Sequence, residues 1–279
     1  MYKLENKDIK VTIDKNNMEI RSIKKGSKEF TYQHSNSWQK NWPILFPICG
    51  TLKNNNFTHK DKVFTLPRHG FFRDLSNWEI KNESEGQVTF STKSGKKFIE
   101  QYPFEFEIDF QVKIEESSLK TNFIVKNLSK ETMFFSFGYH PAFLIKQEGC
   151  LTFSKKEIFY TDNEDMLYLK RNPENKFDFT KVQIKDINFK GSQFYWSDQL
   201  QSDFVEYQDD EKSFKINLQK YPVCLLWSED NKSDYICIEP WFGSADFNDR
   251  KDNFISNKDN ILSLEPNQIW NDVFTMELK

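Results

Sequence analysis

Phe104-Glu105-Phe106-Glu107-Ile108-Asp109-Phe110-Gln111-Val112-Lys113-Ile114 is a segment in which apolar and polar residues alternate without error. A period of two places all six apolar side chains on one face of a strand and the polar side chains on the other. One apolar and one polar face are typical of an antiparallel sheet that covers a core and meets water. The segment therefore predicts an antiparallel β-strand over 104–114.

Strand patterns recur along the chain in both directions from this segment. After a turn at Glu115–Ser118, the alternation is repeated in Leu119–Val125. A single helical turn is expected at Ser197–Asp203. Further strands are predicted at Trp78–Ile80, Gln87–Ser91, Met133–Phe137, Phe214–Leu218, Val223–Trp227, Tyr235–Ile238, Leu262–Leu264 and Val273–Leu278.

The composition agrees with a β-rich chain. Aromatic residues make up 16% of the 279 residues, and 28 of these are Phe, a side chain that is favoured on the half-buried surfaces of strands. No linker, low-complexity tract or repeat divides the sequence. We therefore predict an all-β fold in which residues 1–279 form one domain, a large antiparallel β-sandwich with few short helices.

Charge and cysteine usage argue against several functional classes. The net charge is −3, from 39 basic and 42 acidic residues without a long block of either sign, so nucleic acid and anionic membranes are not expected partners. No stretch approaches ~18 consecutive apolar residues and the first residues lack a signal peptide, which predicts a cytoplasmic protein. Four separated cysteines with apolar neighbours predict buried thiols rather than disulfides or a metal site: Cys49, Cys150, Cys224 and Cys237.

The segment Phe137-Gly138-Tyr139-His140-Pro141-Ala142-Phe143 places one of four histidines among aromatic residues, immediately before a proline. Pro141 fixes its own φ and biases His140 towards an extended conformation, so the imidazole is expected at a strand end in a fixed direction. An unperturbed imidazole titrates near pH ~6.5 and can give or accept a proton. His140 is therefore a candidate for proton transfer, and a hydrogen-bonded structural histidine is the alternative.

Glu239 is a candidate general base. It follows four strand residues and precedes Pro240 and Trp241, so its carboxylate is expected at the end of an apolar strand beside a bulky aromatic ring. Apolar surroundings raise the pKa of a carboxylate towards neutrality, as a general base requires. A glutamate held in an ion pair at the strand end is the alternative.

A third candidate lies in Arg68-His69-Gly70-Phe71-Phe72-Arg73-Asp74. His69 precedes a glycine, which permits close approach by another group. A surface histidine in a basic turn is the alternative. For Arg73, an ion pair with Asp74 that orients the loop is the alternative to a contact with a ligand.

Taken together, these motifs resemble the aldose 1-epimerase (galactose mutarotase-like) family, and most closely its LacX-type branch. The similarity covers nearly the whole chain and is carried by Leu66–Asp74, Gly138–Phe143 and Ile238–Trp241. The resemblance implies a galactose mutarotase-like supersandwich with a sugar site on its concave face. It also implies an isomerase that interconverts the α and β anomers of pyranose sugars, whereas some relatives act on hexose 6-phosphates.

By the same resemblance, Glu239 corresponds to the catalytic base, His140 to the acid and His69 to a histidine that binds near the ring oxygen. Ring opening and reclosure are then proton transfers, so no metal or organic cofactor is expected. The expected ligand is a small sugar, an aldohexose or a hexose phosphate. The protein is expected to be a monomer or a homodimer.

Five further residues are candidates for substrate binding: Arg73, Arg68, Trp42, Lys53 and Asp203. The planar fork of Arg73 can donate hydrogen bonds to sugar hydroxyls. Trp42, in an apolar run broken by prolines, can stack on a sugar ring or fill the core. Many relatives have an arginine where this chain has Gly50-Thr51-Leu52-Lys53, so Lys53 is its candidate replacement. Asp203 is the candidate for the substrate-binding carboxylate, with a solvated loop residue as the alternative.

Two alternative functions stay open on the sequence. One is a sugar-binding or sensing protein that keeps the sandwich without turnover. The other is a hexose-6-phosphate 1-epimerase, which needs a basic cluster for the phosphate; Arg68, Arg73 and Lys53 are the residues at hand.

Overall fold

The structure is a computed structural model that describes residues 1–35, 37–164 and 167–279. Within these ranges the first half of the chain contains strands β1 Tyr2–Glu5, β2 Ile9–Ile13, β3 Ile20–Lys25, β4 Lys28–Glu29, β5 Ile44–Leu45, β6 Asn56–His59, β7 Lys62–Thr65, β8 Glu79–Ser84, β9 Gln87–Lys93, β10 Phe106–Glu115, β11 Ser118–Asn127, β12 Met133–Phe135 and β13 Phe137–Tyr139. The second half contains β14 Ala142–Leu144, β15 Cys150–Tyr160, β16 Asn163–Glu164, β17 Tyr168–Leu169, β18 Lys176–Gln183, β19 Phe194–Ser197, β20 Phe204–Gln208, β21 Ser213–Asn217, β22 Val223–Trp227, β23 Tyr235–Phe242, β24 Leu262–Leu264 and β25 Ile269–Leu278.

Helices are few and short in the described part of the chain. They are the single-turn α-helix α1 Lys96–Ile99 and 3₁₀ helices at Lys53–Asn55, Phe72–Asp74, Ile184–Asp186 and Ile255–Asn257. None of the helices in these ranges has the length and apolar character needed to cross a membrane.

The alternating segment forms β10, as predicted. Its inward-facing residues are buried, and every second residue is partly exposed. β10 pairs with β11 in an antiparallel register that runs unbroken from Phe106 opposite Asn127 to Glu115 opposite Ser118. An unbroken register keeps both apolar faces on the same side, because a slip of one residue would turn every side chain over.

The large sheet folds back on itself and forms the two layers of the sandwich. Its hydrogen-bonded order is β5-β13-β23-β22-β19-β15-β20-β21-β25-β11-β10-β9-β8, so many strands separate β13 from β11. Nevertheless, Phe137 of β13 stacks on Phe123 of β11 with ring centroids 4.1 Å apart. This contact belongs to the main core, a continuous apolar cluster that joins the inner faces of both layers and includes Phe110, Phe123, Leu226 and Ile238.

Strands β22 and β23 are buried on both faces, and this places the cavity described below. Their residues Cys224, Leu226, Ile236 and Ile238 point into the main core. Because successive side chains alternate between faces, the intervening residues point to the opposite side of the sheet. That second face carries Val223, Leu225, Trp227, Cys237, Glu239 and Trp241.

The helical turn expected at Ser197–Asp203 is wrong. Strand β19 ends at Ser197, and the residues that follow take no helical hydrogen bonds. The buried carboxylate of Glu157 instead accepts the backbone N–H groups of Gln201 (2.9 Å) and Ser202. A long-range contact with a buried charge thus overrides the local pattern, because burying that carboxylate without donors would be costly.

Phe110→Ala is expected to lower the free energy of unfolding by about 3–5 kcal/mol, because it removes a buried ring from the inner face of β10. Lys126→Ala on the outer face of β11 is the matched control and should stay within about 0.5 kcal/mol of the parent protein. Urea denaturation measures both values. Equal effects of the two substitutions would contradict the assignment of the two faces.

Candidate active site

A cavity of about 350 Å³ lies on the second face of β22 and β23. Leu225, Trp227, Glu239 and Trp241 from these strands line it, together with Phe194 from β19. The volume falls at the lower end of the range that small-molecule sites occupy, roughly 300–1,000 Å³. Mostly apolar walls with a few converging polar groups are also typical of such sites.

The strand register places His140 beside Glu239. Strands β13 and β14 both pair with β23, and they do so in one common antiparallel register. The residue opposite Glu239 in that register is His140, which lies with Pro141 between β13 and β14. His140 Nε2 lies 3.4 Å from Glu239 Oε1. The pairs that define this register are Gly138 with Trp241 and Ala142 with Cys237.

Burial dominates the electrostatics of this pair. It raises the pKa of the Glu239 carboxyl well above its ordinary value, and the positive charge of Arg68 opposes this only in part. Burial also lowers the pKa of His140 to about 3, with further lowering by Arg68 and Lys40. Removal from water disfavours the charged form of either group. Both groups are therefore shifted towards their neutral forms.

His69 is held by two hydrogen bonds with Gly50. Its backbone N–H donates to the Gly50 carbonyl oxygen (2.8 Å), and the Gly50 N–H donates to His69 Nδ1 (3.1 Å). His69 has φ of +67°, a left-handed conformation that histidine adopts more often than most residues. Gly70, at φ of +70°, follows it because a Cβ there would lie 2.3 Å from the Phe46 carbonyl oxygen.

The hydrogen bonds also indicate which ring nitrogen of His69 carries the proton. A neutral imidazole accepts at one nitrogen only. The Gly50 N–H donates to Nδ1 and the Arg68 Nε–H donates to Nε2, each at 3.1 Å, so a neutral ring satisfies only one of the two donors. The backbone contact is fixed by a buried loop, whereas the long side chain of Arg68 is free to turn away, so we assign the ring proton to Nε2; this assignment requires Arg68 Nε to leave Nε2. Burial and Arg68 lower the pKa of His69 well below its usual value, which keeps the ring neutral.

The structure brings together the three residues that the sequence motifs singled out. The rings of His69 and His140 have centroids 5.8 Å apart, and Trp241 lies 5.8 Å from His69. All three side chains, His69, His140 and Glu239, line the same cavity. The 71 and 99 positions that separate them in sequence are spanned by the sheet.

Trp42 does not line this cavity and is corrected to a core residue. It is 1% exposed and packs edge-on against Phe143 and Phe274 in the main core. Trp38, four residues earlier, lines the cavity in place of Trp42. Its ring stacks on His140 with centroids 5.3 Å apart and an interplanar angle of 25°. The two tryptophans share one irregular segment, so no periodicity in the sequence distinguishes their environments.

Arg68 and Arg73 line the cavity, whereas Lys53 and Asp203 do not. The ammonium of Lys53 donates to the carbonyl oxygens of Asn248 and Arg250, so it is fixed away from the cavity. Asp203 is an exposed residue that pairs with Lys155 at 3.3 Å. The two expected binding roles are corrected accordingly.

Sequence reasoning missed two charged residues of the cavity, Glu19 and Lys40. Glu19 follows the first hairpin turn, and its carboxylate accepts the backbone N–H of Asn41 at 2.9 Å. Lys40 lies between the two tryptophans, in an irregular segment where no strand or helix period assigns a direction to a side chain. Glu19 and Lys40 are recognised as cavity residues only in the structure, where the first hairpin contacts the segment that contains Lys40.

One group of side chains in the described residues has the donor types of a metal site. His140, Cys237 and Glu239 bring ligand-type atoms within 4.8 Å of one another. However, burial raises the pKa of the Cys237 thiol well above its ordinary value, and metals bind the thiolate. The other two donors, His140 and Glu239, face each other directly, so this group does not by itself indicate a resident metal.

Comparison with known proteins gives consistent similarities. Residues 5–275 match the profile of the aldose 1-epimerase family. Protein LacX of Lactococcus lactis subsp. lactis, in its chromosomal and plasmid forms, is 30% identical over 249 residues, which cover 81% of this chain and 82% of LacX.

Solved structures with this fold include two from lactobacilli. A galactose mutarotase related enzyme from Lactobacillus acidophilus has a TM-score of 0.88 and 28% identity, and the match covers 100% of this chain and 97% of that one. A galactose mutarotase-like protein from Lactobacillus casei has a TM-score of 0.86 over 100% of both chains at 19% identity, which bears on the fold alone. The predicted antiparallel β-sandwich is thereby confirmed.

We expect the Nε2–H tautomer of His69, because the Gly50 N–H occupies Nδ1. The ¹⁵N chemical shifts of the selectively labelled imidazole distinguish the two tautomers at neutral pH. A His69→Gln variant assigns the resonances. A ring protonated at Nδ1 would contradict the Gly50 hydrogen bond.

The low pKa of His140, about 3, predicts an acid-dependent loss of stability. Between pH values of about 3 and 6.5, His140 binds more protons in the unfolded chain than in the folded protein. Its contribution to the free energy of unfolding therefore falls as the pH is lowered through this window. His140 contributes up to about 1.4 kcal/mol per pH unit. His140→Gln should flatten the dependence measured by urea denaturation from pH 7 to 4; His69 contributes in the same direction, and Glu239, with its raised pKa, in the opposite one. His34→Gln, outside the cavity, is the control; the same slope for both variants would refute the assignment.

Proposed function

The chain belongs to the aldose 1-epimerase family, and from this premise we propose that it interconverts the α and β anomers of a pyranose sugar by acid/base ring opening and reclosure. One observation carries the proposal. A buried carboxylate and an imidazole, Glu239 and His140, face each other at 3.4 Å in a cavity of sugar-compatible size.

The reaction proceeds by two coupled proton transfers. Glu239 removes the proton of the anomeric hydroxyl while His140 gives a proton to the ring oxygen. The bond between the anomeric carbon and the ring oxygen breaks, and the product is the open-chain aldehyde. After rotation about the adjacent carbon–carbon bond, the ring closes on the other face of the aldehyde. His140 then takes back its proton, and Glu239 returns the other proton to the new anomeric hydroxyl.

The shifted pKa values suit these roles if the pair shares one proton. In the empty cavity, burial favours the protonated carboxyl of Glu239 and the neutral imidazole of His140. Transfer of that proton from Glu239 to His140 makes the base and the acid in one step. Sugar hydroxyls that donate to the carboxylate stabilise this charged state, because hydrogen bonds to an ionised group favour ionisation. Substrate binding thereby activates both groups.

Neighbouring residues support the same chemistry. The Nε2–H of His69 is a donor towards the ring oxygen, where negative charge develops during ring opening. Trp38 and Trp227 flank His140 and supply flat apolar walls for a sugar ring. A sugar-binding protein without turnover needs the walls but not the paired proton donor and acceptor. The cytoplasmic location, the single domain and the monomer or homodimer state stay predictions.

Glu239→Gln is expected to lower kcat by roughly 10²–10⁴-fold, because an amide cannot remove the anomeric proton. Sugar affinity should change little, since the amide keeps the size and hydrogen-bonding capacity of the carboxyl. Polarimetry on a freshly dissolved single anomer measures turnover, and tryptophan fluorescence measures binding.

Glu85→Gln, in the exposed turn between β8 and β9, is the matched carboxyl-to-amide control and should keep the parent rate. If the parent protein binds sugars but does not exceed the spontaneous rate with any of them, the proposal fails and the sugar-binding alternative holds.

A further inference from the structure

Lys40 is a lysine of the cavity wall whose amine has no fixed partner. It is the one lysine among the described residues that line the cavity, and it is partly buried. Its ammonium takes part in no ion pair and no hydrogen bond within residues 1–35, 37–164 and 167–279. By contrast, Lys53 donates to two backbone carbonyl oxygens, and Lys258 pairs with Asp246 at 2.9 Å. The amine of Lys40 is therefore available to a molecule that enters the cavity.

The surroundings of Lys40 favour the neutral amine. Burial lowers the pKa of its ammonium, and the positive charges of Arg73 and Arg68 lower it further. Glu19 opposes this shift, but its carboxylate also pairs with Arg21 at 3.2 Å. A lysine becomes an effective nucleophile in enzymes when it is desolvated or lies beside another cation. Lys40 meets both conditions.

The amine lies close to the proposed reaction centre. Besides burial, the charge of Lys40 lowers the pKa values of His140 and His69. These three side chains and Glu239 line one cavity of about 350 Å³. The four-carbon stem of lysine is flexible, so the amine can move towards a carbon atom held at Glu239 and His140. We therefore expect it to reach the first carbon of a sugar that is bound at this pair.

Ring opening creates the electrophile that an amine needs. The pyranose form has no carbonyl group, whereas the open-chain intermediate of the proposed reaction carries an aldehyde at the former anomeric carbon. Amines add to aldehydes, and lysine imines are a recurring covalent intermediate of enzymes that act on carbonyl compounds. Each turnover therefore exposes the amine of Lys40 to an aldehyde in the same cavity.

We propose that Lys40 is a covalent modification site, at which the amine forms an imine with the open-chain aldehyde of an aldose. The nitrogen lone pair forms a bond to the aldehyde carbon while the electron pair of the C=O π bond moves to oxygen. The oxygen then leaves as water with the two protons of the amine, and a C=N bond is formed. The steps need no oxidant or reductant, and addition of water reverses them. The inference rests on the proposed function for the supply of aldehyde inside the cavity.

Reclosure of the pyranose ring competes with imine formation. Both reactions use the same aldehyde carbon, but the hydroxyl group that closes the ring belongs to the same molecule. Well-oriented intramolecular reactions have effective molarities of roughly 10⁵–10⁸ M. Most open-chain molecules therefore return to the ring, and the imine is a minor species that has to be trapped by reduction.

Reductive trapping tests the proposal. The parent protein is incubated at neutral pH with glucose, galactose or xylose and with sodium cyanoborohydride, which reduces imines faster than aldehydes. Peptide mass spectrometry then measures the labelled fraction of each lysine. We expect Lys40 to be labelled at least about 10-fold faster than Lys24, an exposed lysine on β3 that is the matched control. Galactitol, which has no carbonyl group, should give no label.

Formaldehyde separates the reactivity of the amine from sugar binding. It forms an imine with any accessible amine, and the same reductant converts this imine to methyl-lysine. Because the pKa of Lys40 is lowered, its methylation should persist to lower pH than that of Lys24. Arg73→Gln removes a neighbouring positive charge and should move the pH profile of Lys40 upwards while that of Lys24 stays unchanged. Identical pH profiles of the two lysines in the parent protein would overturn the assignment of Lys40 as a nucleophile.

Two variants distinguish failure of this proposal from failure of the epimerase activity. Lys40→Arg keeps the positive charge but forms no imine, so the fast phase of sugar labelling in the intact protein should disappear; a fast phase that remains would overturn the proposal. Glu239→Gln should slow labelling by sugar, because ring opening is slowed, and leave methylation by formaldehyde intact.

The trapping and polarimetry results are compared for each sugar. If a sugar is epimerised and Lys40 is labelled no faster than Lys24, the proposal is overturned while the proposed function stands. If Lys40 is labelled selectively by sugars that are not epimerised, the proposed function fails and the covalent site stands.

Discussion

The site depends on one constraint, the common register in which β13 and β14 pair with β23. This register continues across His140 and Pro141, which lie between the two strands, and it places His140 opposite Glu239. The neighbouring strand β22 fixes the other side, where Leu225 lies opposite Glu239. Cross-strand neighbours have Cβ atoms about 4.5–5.5 Å apart, so the backbone alone brings the imidazole and the carboxyl into range. No flexible loop is required to bring His140 and Glu239 together.

Burial gives this pair its chemistry. In water, a carboxylic acid and an imidazole would both be ionised over much of the range between their ordinary pKa values. Here the sheet and the stacked ring of Trp38 remove water from both groups, and their pKa values move towards the neutral forms. A hydrogen-bond donor that reaches the Glu239 carboxyl would oppose this shift, because hydrogen bonds to a carboxylate favour its ionised form.

A second buried network, centred on Asp246, fixes the loop that contacts His69. Asp246 binds Arg250 and Lys258, and it also accepts the backbone N–H of Lys53 at 2.7 Å. Removing one partner of such a buried group is strongly destabilising, because a charge is left unpaired. The network fixes the loop after Gly50, whose N–H holds the His69 ring. This explains why Lys53 has a structural role and does not reach the cavity.

The sequence by itself predicted the β-sandwich and singled out His69, His140 and Glu239, which the fold brings to one cavity. The period of two in β10 and the His-Gly, His-Pro and Glu-Pro motifs are local features, and they persist in the fold. Only the tertiary structure decided which side chains of the irregular segments face the cavity. Trp38 and Lys40 face it, whereas Trp42 and Lys53 do not, because a segment without a repeating backbone geometry has no periodicity to read. Its side chains point where the hairpin, the main core and the buried ion network leave space, and those contacts join residues far apart in sequence.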